Sequence, residues 1–170
     1  MINLIQARIP DHKEIVRQLL AEYLAWVCDT VREQYNVALD VGPMIDHDME
    51  TMEVFLPPKG ILLMAFDDES PAGCAGARTI GEGVAEIKRM FVRPNHRRKG
   101  IGAKLASELI RQIRSWGYKT IRLDSAEFMS DAHRVYRSHG FVEIPPYDES
   151  EVPAQYRKQW IFMQLELKHP

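Results

Sequence analysis

The chain has little of what marks a secreted, membrane or fibrous protein. Its 170 residues include only two cysteines, Cys28 and Cys74, far apart and in apolar surroundings. Buried free thiols in a reducing cytosol are therefore expected, in preference to a disulfide or a cysteine-built metal site. No apolar stretch exceeds Gly60-Ile-Leu-Leu-Met-Ala-Phe66, against the roughly 20 residues a membrane span needs. Met1-Ile-Asn-Leu-Ile-Gln-Ala-Arg8 has no basic start, no long apolar centre and no small-residue cleavage site, so no secretory leader is expected. Repeats, low-complexity segments and linkers are absent, and residues 1–170 read as one domain. Net charge is only −2, from 22 basic and 24 acidic residues, so nothing global draws the chain to nucleic acid.

One local absence is informative. Between Ile87 and Ser107 there is no Asp or Glu, while Lys88, Arg89, Arg93, Arg97, Arg98, Lys99 and Lys104 all fall there. The acids gather elsewhere, at Asp40, Asp46, Asp48, Glu50 and Glu53, at Asp67-Asp68-Glu69, and at Asp148, Glu149 and Glu151. The pattern is a local anion site in a slightly acidic protein.

What is present reads as a mixed α/β order. Ile2 to Arg8 alternates as a first strand. Asp11 and Glu14 form a capping box for a helix whose apolar face runs Ile15, Val16, Leu19, Leu20, Tyr23, Leu24 and Val27. Cys28 to Lys59 is less periodic and predicts a loop and a short helix around Ile45–Phe55, closed by Pro57-Pro58. Ile61–Phe66, Ala72–Ile80 and Val84–Val92 predict strands joined by an acidic turn and a Gly81-Glu82-Gly83 hairpin. Beyond Pro94 a basic loop leads to a helix with Ile101, Leu105, Leu109, Ile113 and Trp116 on one face and Gly117 at its end. A strand at Thr120–Asp124, a helix at Ser130–His139, a strand at Phe141–Ile144 and a last strand near Trp160–Leu167 complete the chain.

The segment Met90-Phe-Val-Arg-Pro-Asn-His-Arg-Arg-Lys-Gly-Ile-Gly-Ala103 joins strand, turn and helix. A helix start leaves its first N–H groups unpaired and partly positive. Glycines let a ligand come close to them, and the combination suits a pyrophosphate. The alternative is a solvated basic turn. Neither the three spaced glycines of a dinucleotide fold nor the Gly-Lys-Ser/Thr of a nucleotide-triphosphate loop is present.

Arg97-Arg-Lys-Gly100-Ile-Gly102 resembles the Arg/Gln-x-x-Gly-x-Gly/Ala signature of the GNAT acetyltransferase superfamily. Ala132-His-Arg-Val-Tyr136-Arg-Ser-His-Gly140-Phe141 resembles its second block, with Met129 where many members carry Asn. The resemblance spans Val84 to Val142. It implies a mixed, largely antiparallel central sheet flanked by helices, and direct acetyl transfer from acetyl-CoA to a small-molecule or peptide amine. The strand residues Met90, Phe91 and Val92 would meet the pantetheine arm. Arg97, Arg98, Lys99, Gly100, Ile101, Gly102 and Ala103 would hold the pyrophosphate, and Tyr136 would protonate the departing thiolate. A cytoplasmic protein is expected, with no metal, no nucleic acid and no membrane, and with a homodimer left open.

An amine is almost wholly protonated at neutral pH, so a base is needed. Glu86, mid-strand among apolar residues, is the candidate. Its other reading is an outward glutamate paired with a neighbouring base. Tyr136 has a packing alternative against Phe141, and His133 and His139 are further titratable groups near it. Asp46-His47-Asp48 lacks the further ligands a metal would want. The acidic walls Trp26–Phe55 and Pro145–Lys158 favour a cationic acceptor by charge, while Arg78 could instead receive a carboxylate. Two other functions remain to be separated: an acyl-CoA-binding module without turnover, and a nucleic-acid binder, which lacks a basic face beyond the loop.

Overall fold

The computed structural model describes residues 1–168. Seven strands form one sheet: β1 (Ile2–Gln6), β2 (Gly60–Asp67), β3 (Ser70–Gly81), β4 (Val84–Val92), β5 (Thr120–Ala126), β6 (Val142–Ile144) and β7 (Trp160–Glu166). The order across the sheet is β1-β2-β3-β4-β5-β7-β6. Only the β4–β5 pair is parallel, and the crossover between them carries a helix. The expected mixed, largely antiparallel sheet is what forms.

Helices α1 (Lys13–Tyr35), α2 (Val41–Glu50), α3 (Ile101–Ser115) and α4 (Ser130–Ser138) flank it. Strand β2 shows why both faces must be covered. Its Ile61, Leu63 and Ala65 pack with Leu105, Leu109 and Ile113 of α3, whereas Leu62 and Met64 pack with Val16, Leu19 and Leu20 of α1. A strand buried on both sides reads as a continuous apolar run, as this one does. Among the described residues no helix is long and apolar enough to cross a membrane.

Several boundaries differ from the sequence reading. α1 continues past Val27, because Val31 extends the same i, i+4 face, and it stops only where Asn36 turns left-handed (φ 54°). The Asp11–Glu14 capping box does not form. His12 is the N-cap, without a side-chain cap bond, and its Nδ1 accepts the Arg8 N–H at 3.0 Å. The second helix begins earlier than Ile45, where Asp40 caps it by accepting the Gly42 N–H at 3.1 Å. Met52–Phe55 is a separate 3-10 turn. The first strand is shorter than read, ending at Gln6.

The feature that makes a site is the parting of β4 from β5. Their pairing ends at Ile87 opposite Leu123, while β4 stays on β3 as far as Val92 opposite Gly73. Just past that end, Arg89 is left-handed (φ 57°), where the register between β3 and β4 shifts. The shift bends β4 away from β5. Gly73 allows this close packing, since a Cβ there would lie 2.3 Å from the Phe91 carbonyl oxygen.

Candidate active site

A cavity of about 470 Å³ opens where β4 leaves β5. Met90, Phe91 and Val92 form one wall. Arg97, Arg98, Gly100, Ile101, Gly102 and Ala103 form its basic end, Phe128 to Ala132 lie opposite, and Trp26 of α1 closes over it. Every residue expected at the cofactor is therefore on this wall except Lys99. The Lys99 ammonium turns aside to Asp67 at 2.6 Å, and the His96 ring joins the same carboxylate at 3.0 Å.

The basic end is built from backbone. Arg98 (φ 61°) and Gly100 (φ 76°) are both left-handed, and the intervening turn gathers successive N–H groups. The first backbone bond onto α3 is Lys104 N–H to the Gly100 carbonyl, so the N–H groups of Ile101, Gly102 and Ala103 have no acceptor among the described residues. A second helix start faces the same space. α4 has no side-chain cap, and its first backbone bond runs from His133 to Met129, which leaves Ser130, Asp131 and Ala132 with free N–H groups. Two helix N-termini and the side chains of Arg97, Arg98 and Arg134 thus converge on one cavity. Arg97 is held in place, its guanidinium 5.3 Å from the Trp26 ring and its Nε donating to the Val92 carbonyl at 3.0 Å. Phe128 and Arg134 were not anticipated, and Trp26, expected on the acceptor wall, also meets the basic loop, since nothing in the local sequence pairs α1 with that loop.

Tyr136 is buried one turn beyond Ala132 on α4, off the cavity wall, with its ring 5.6 Å from Phe141. The packing reading fits this placement. Its hydroxyl has no partner among the described residues. Burial pushes the phenol upward and keeps it protonated. The neighbouring histidines are occupied. His133 meets Ser125 at 3.0 Å, with its pKa lowered by burial, and His139 meets Ser107 and the Val135 carbonyl at 2.8 Å each.

Glu86 is neither outward nor on the cavity. It is fully buried, takes Arg78 Nε at 2.8 Å on Oε2 and the Tyr147 hydroxyl at 2.8 Å on Oε1, and is raised by burial. The sequence placed it at the reacting centre because β4 is otherwise apolar there, but the segment after β6 brings Tyr147 over it and closes it off. It belongs to an ion cluster on the α1 side of the gap. Lys88 Nζ lies 3.4 Å from Asp124, which also accepts from Ser150 at 2.8 Å, and Arg89 holds Asp48 through two bonds of 2.6 and 2.7 Å. Asp48 is thereby committed to Arg89, and Asp46 to Arg17 at 3.0 Å.

The sequence profile of the Acetyltransferase (GNAT) family matches residues 17–141. The chain belongs to that family. This GNAT chain is 29% identical over 168 residues to an uncharacterized N-acetyltransferase of Schizosaccharomyces pombe, covering 98% of this chain and 95% of that one. It is 26% identical over 148 residues to an IAA acetyltransferase of Azospirillum brasilense, covering 86% and 90%. In fold it matches the PaiA N-acetyltransferase of Thermoplasma acidophilum, solved in complex with coenzyme A, with a TM-score of 0.75 at 17% identity over 98% of this chain and 99% of that one.

Proposed function

We propose that this GNAT protein moves an acetyl group from acetyl-CoA to a primary amine by direct transfer. The observation that carries the reading is the convergence of two uncapped helix starts and three arginines on the cavity between β4 and β5. Unpaired N–H donors beside a left-handed glycine suit a pyrophosphate. The chain's residues therefore fit the cosubstrate: the turn from Arg97 to Ala103 would bind its phosphates, and Met90 to Val92 would run beside its pantetheine arm. The Thermoplasma relative, solved with coenzyme A, supports the same ligand.

In the reaction the amine nitrogen bonds to the acetyl carbonyl carbon, the carbon–sulfur bond breaks, and the sulfur leaves with the electron pair. Tyr136, kept protonated by burial, gives the sulfur its proton. Asp124 is proposed to take the amine's proton, directly or through water. It is the carboxylate on β5 at the first step past the last β4–β5 pair, where the strands part, 3.4 Å from Lys88. The buried free thiols Cys28 and Cys74 agree with a cytoplasmic setting.

Calorimetry with acetyl-CoA, followed by thiol release across an amine panel, tests the reading. Saturable binding with amine-dependent thiol release is expected. No binding overturns it, and binding without thiol release for any amine leaves a non-catalytic acyl-CoA module.

A further inference from the structure

We infer that the acceptor bears a carboxylate beside its amine, and that Arg78, Lys88 and Arg89 receive this carboxylate at the place where Glu151 now sits. The assignment rests on the acetyl-transfer reading and names the acceptor class within it.

Each of these cations already has an acid of its own. Arg78 has Glu86, Lys88 has Asp124 and Arg89 has Asp48, and the side chains of these acids are between 0% and 6% exposed. Charge is balanced at that point. Glu151 is a further carboxylate, and it reaches all three cations, at 3.0 Å from Arg78, 3.4 Å from Lys88 and 4.0 Å from Arg89. Arg78 Nη1, left over from the pair with Glu86, hydrogen-bonds this carboxylate, and the charges of Lys88 and Arg89 face the same point and help fix it there. Burial raises the Glu151 carboxyl, but Lys88, Arg78 and Arg89 outweigh it and hold the group below its ordinary value.

Glu151 differs from the private acids in being able to leave. Its side chain is 44% exposed, whereas Ser150 and Val152 on either side are buried. Ser150 is tied to Asp124 at 2.8 Å, and Tyr147 packs against Phe162 with ring centres 5.7 Å apart. The backbone therefore stays while the Glu151 side chain swings into solvent. A ligand carboxylate that takes its place restores the same charge.

The point lies next to the cavity. Lys88 and Arg89 directly precede Met90 of the cavity wall. Tyr23 packs against the cavity wall, its ring 5.9 Å from Phe91 and 6.5 Å from Trp26. An acceptor with its amine at Asp124 and its carboxylate at the cations spans Lys88. An amino acid or a compact relative of one has that form. The cationic acceptor expected from the acidic walls draws less support, because five of the acids gathered there, Asp46, Asp48, Glu53, Glu149 and Glu151, are each paired with a base.

The test compares amino acids with the amines left by removing their carboxyl group: phenylalanine with phenethylamine, methionine with 3-(methylthio)propylamine, and tryptophan with tryptamine. Thiol release is followed in the parent protein, in Glu151→Ala and in Glu151→Gln. At least one amino acid should exceed its amine by about tenfold or more in kcat/KM, and both variants should widen that ratio by about threefold or more. Equal use of both members of every pair, or a variant that shifts both alike, overturns the inference while leaving acetyl transfer intact. Calorimetry with N-acetylphenylalanine and N-acetylphenethylamine, in the presence of coenzyme A, reads the subsite without turnover. Tighter binding of the carboxylate ligand in Glu151→Ala than in the parent supports the subsite even if no amine is acetylated, in which case only the transfer reading falls. Equal or absent binding of both ligands in parent and variant overturns the subsite.

Discussion

Lys88 and Asp124 face each other at 3.4 Å across the first step beyond the last β4–β5 pair, Ile87 with Leu123. The ion pair takes the place of the backbone ladder where the strands part. It ties the strands together on the α1 side while leaving the gap open to the cavity beyond. Asp124→Asn keeps the shape and an acceptor for Ser150 but removes the proton acceptor. Turnover should fall about a hundredfold, with acetyl-CoA affinity unchanged by calorimetry. A folded Asp124→Asn protein whose kcat stays within about twofold of the parent would exclude Asp124 from proton transfer.

Gly102 sits at the start of α3 with open space around it. A Cβ there would touch only Val135 Cγ2, at 3.8 Å. Gly102→Glu is therefore compatible with the fold and places a carboxylate among the N–H groups of the basic end. Acetyl-CoA affinity should drop about a hundredfold or more while the thermal midpoint moves little. Undiminished affinity in that variant would remove the pyrophosphate from this turn.

The Tyr136 hydroxyl has no partner among the described residues, so its removal breaks no bond. Tyr136→Phe should keep its stability and its acetyl-CoA affinity. Its turnover should be lower by about a hundredfold, the worth of general acid help to the leaving sulfur. Full turnover in Tyr136→Phe would hand the proton to another donor.

The cofactor end of the site was legible because it is local. The strand Val84–Val92, the basic turn and the helix start at Ile101 lie within 18 consecutive residues, and one run of sequence specifies the turn, the glycines and the missing acids. The ion cluster was not legible for the opposite reason. Asp48, Arg78, Lys88, Asp124 and Glu151 come from five separate stretches, and no periodicity links them. Glu86 shows the limit clearly. A carboxylate in an apolar strand signals a buried ionic group, but only the later segment bearing Tyr147 decides whether it faces substrate or an internal partner. Asp40 as the cap of α2 was readable in retrospect, since it stands just before the helix and its side chain meets Gly42.

Asp67 lets acid stability be read with a definite sign. The Lys99 hydrogen bond, and then that of His96, hold its carboxyl below the ordinary value of 3.8. A depressed folded pKa contributes stability above the unfolded value, and this is lost as pH falls through the folded one. Asp67→Asn should therefore be less stable than the parent near neutrality, and the difference should close below pH 3.8. Urea midpoints from about pH 2 to 7 measure it. A gap that stays constant over that range would mean that Asp67 stabilises by packing alone.

Glu86→Gln separates a buried structural carboxylate from a base. Both carboxylate oxygens accept hydrogen bonds, from Arg78 and from Tyr147, and the residue is fully buried. A glutamine amide turns an NH₂ against one of these donors and leaves a buried polar group unpaired, which costs about 1–3 kcal/mol. The pair with Arg78 also loses its charge, which adds to the loss. The variant should unfold at lower denaturant with the same m-value, because the exposed surface on unfolding is unchanged. Its kcat–pH profile should keep an acidic limb of the parent's shape, because Glu86 is fully buried inside the paired part of β4, opposite Arg122, with both oxygens held by Arg78 and Tyr147. A folded Glu86→Gln protein with that limb flattened would return the base to Glu86 and require a proton path to the cavity through Tyr147 or Arg78.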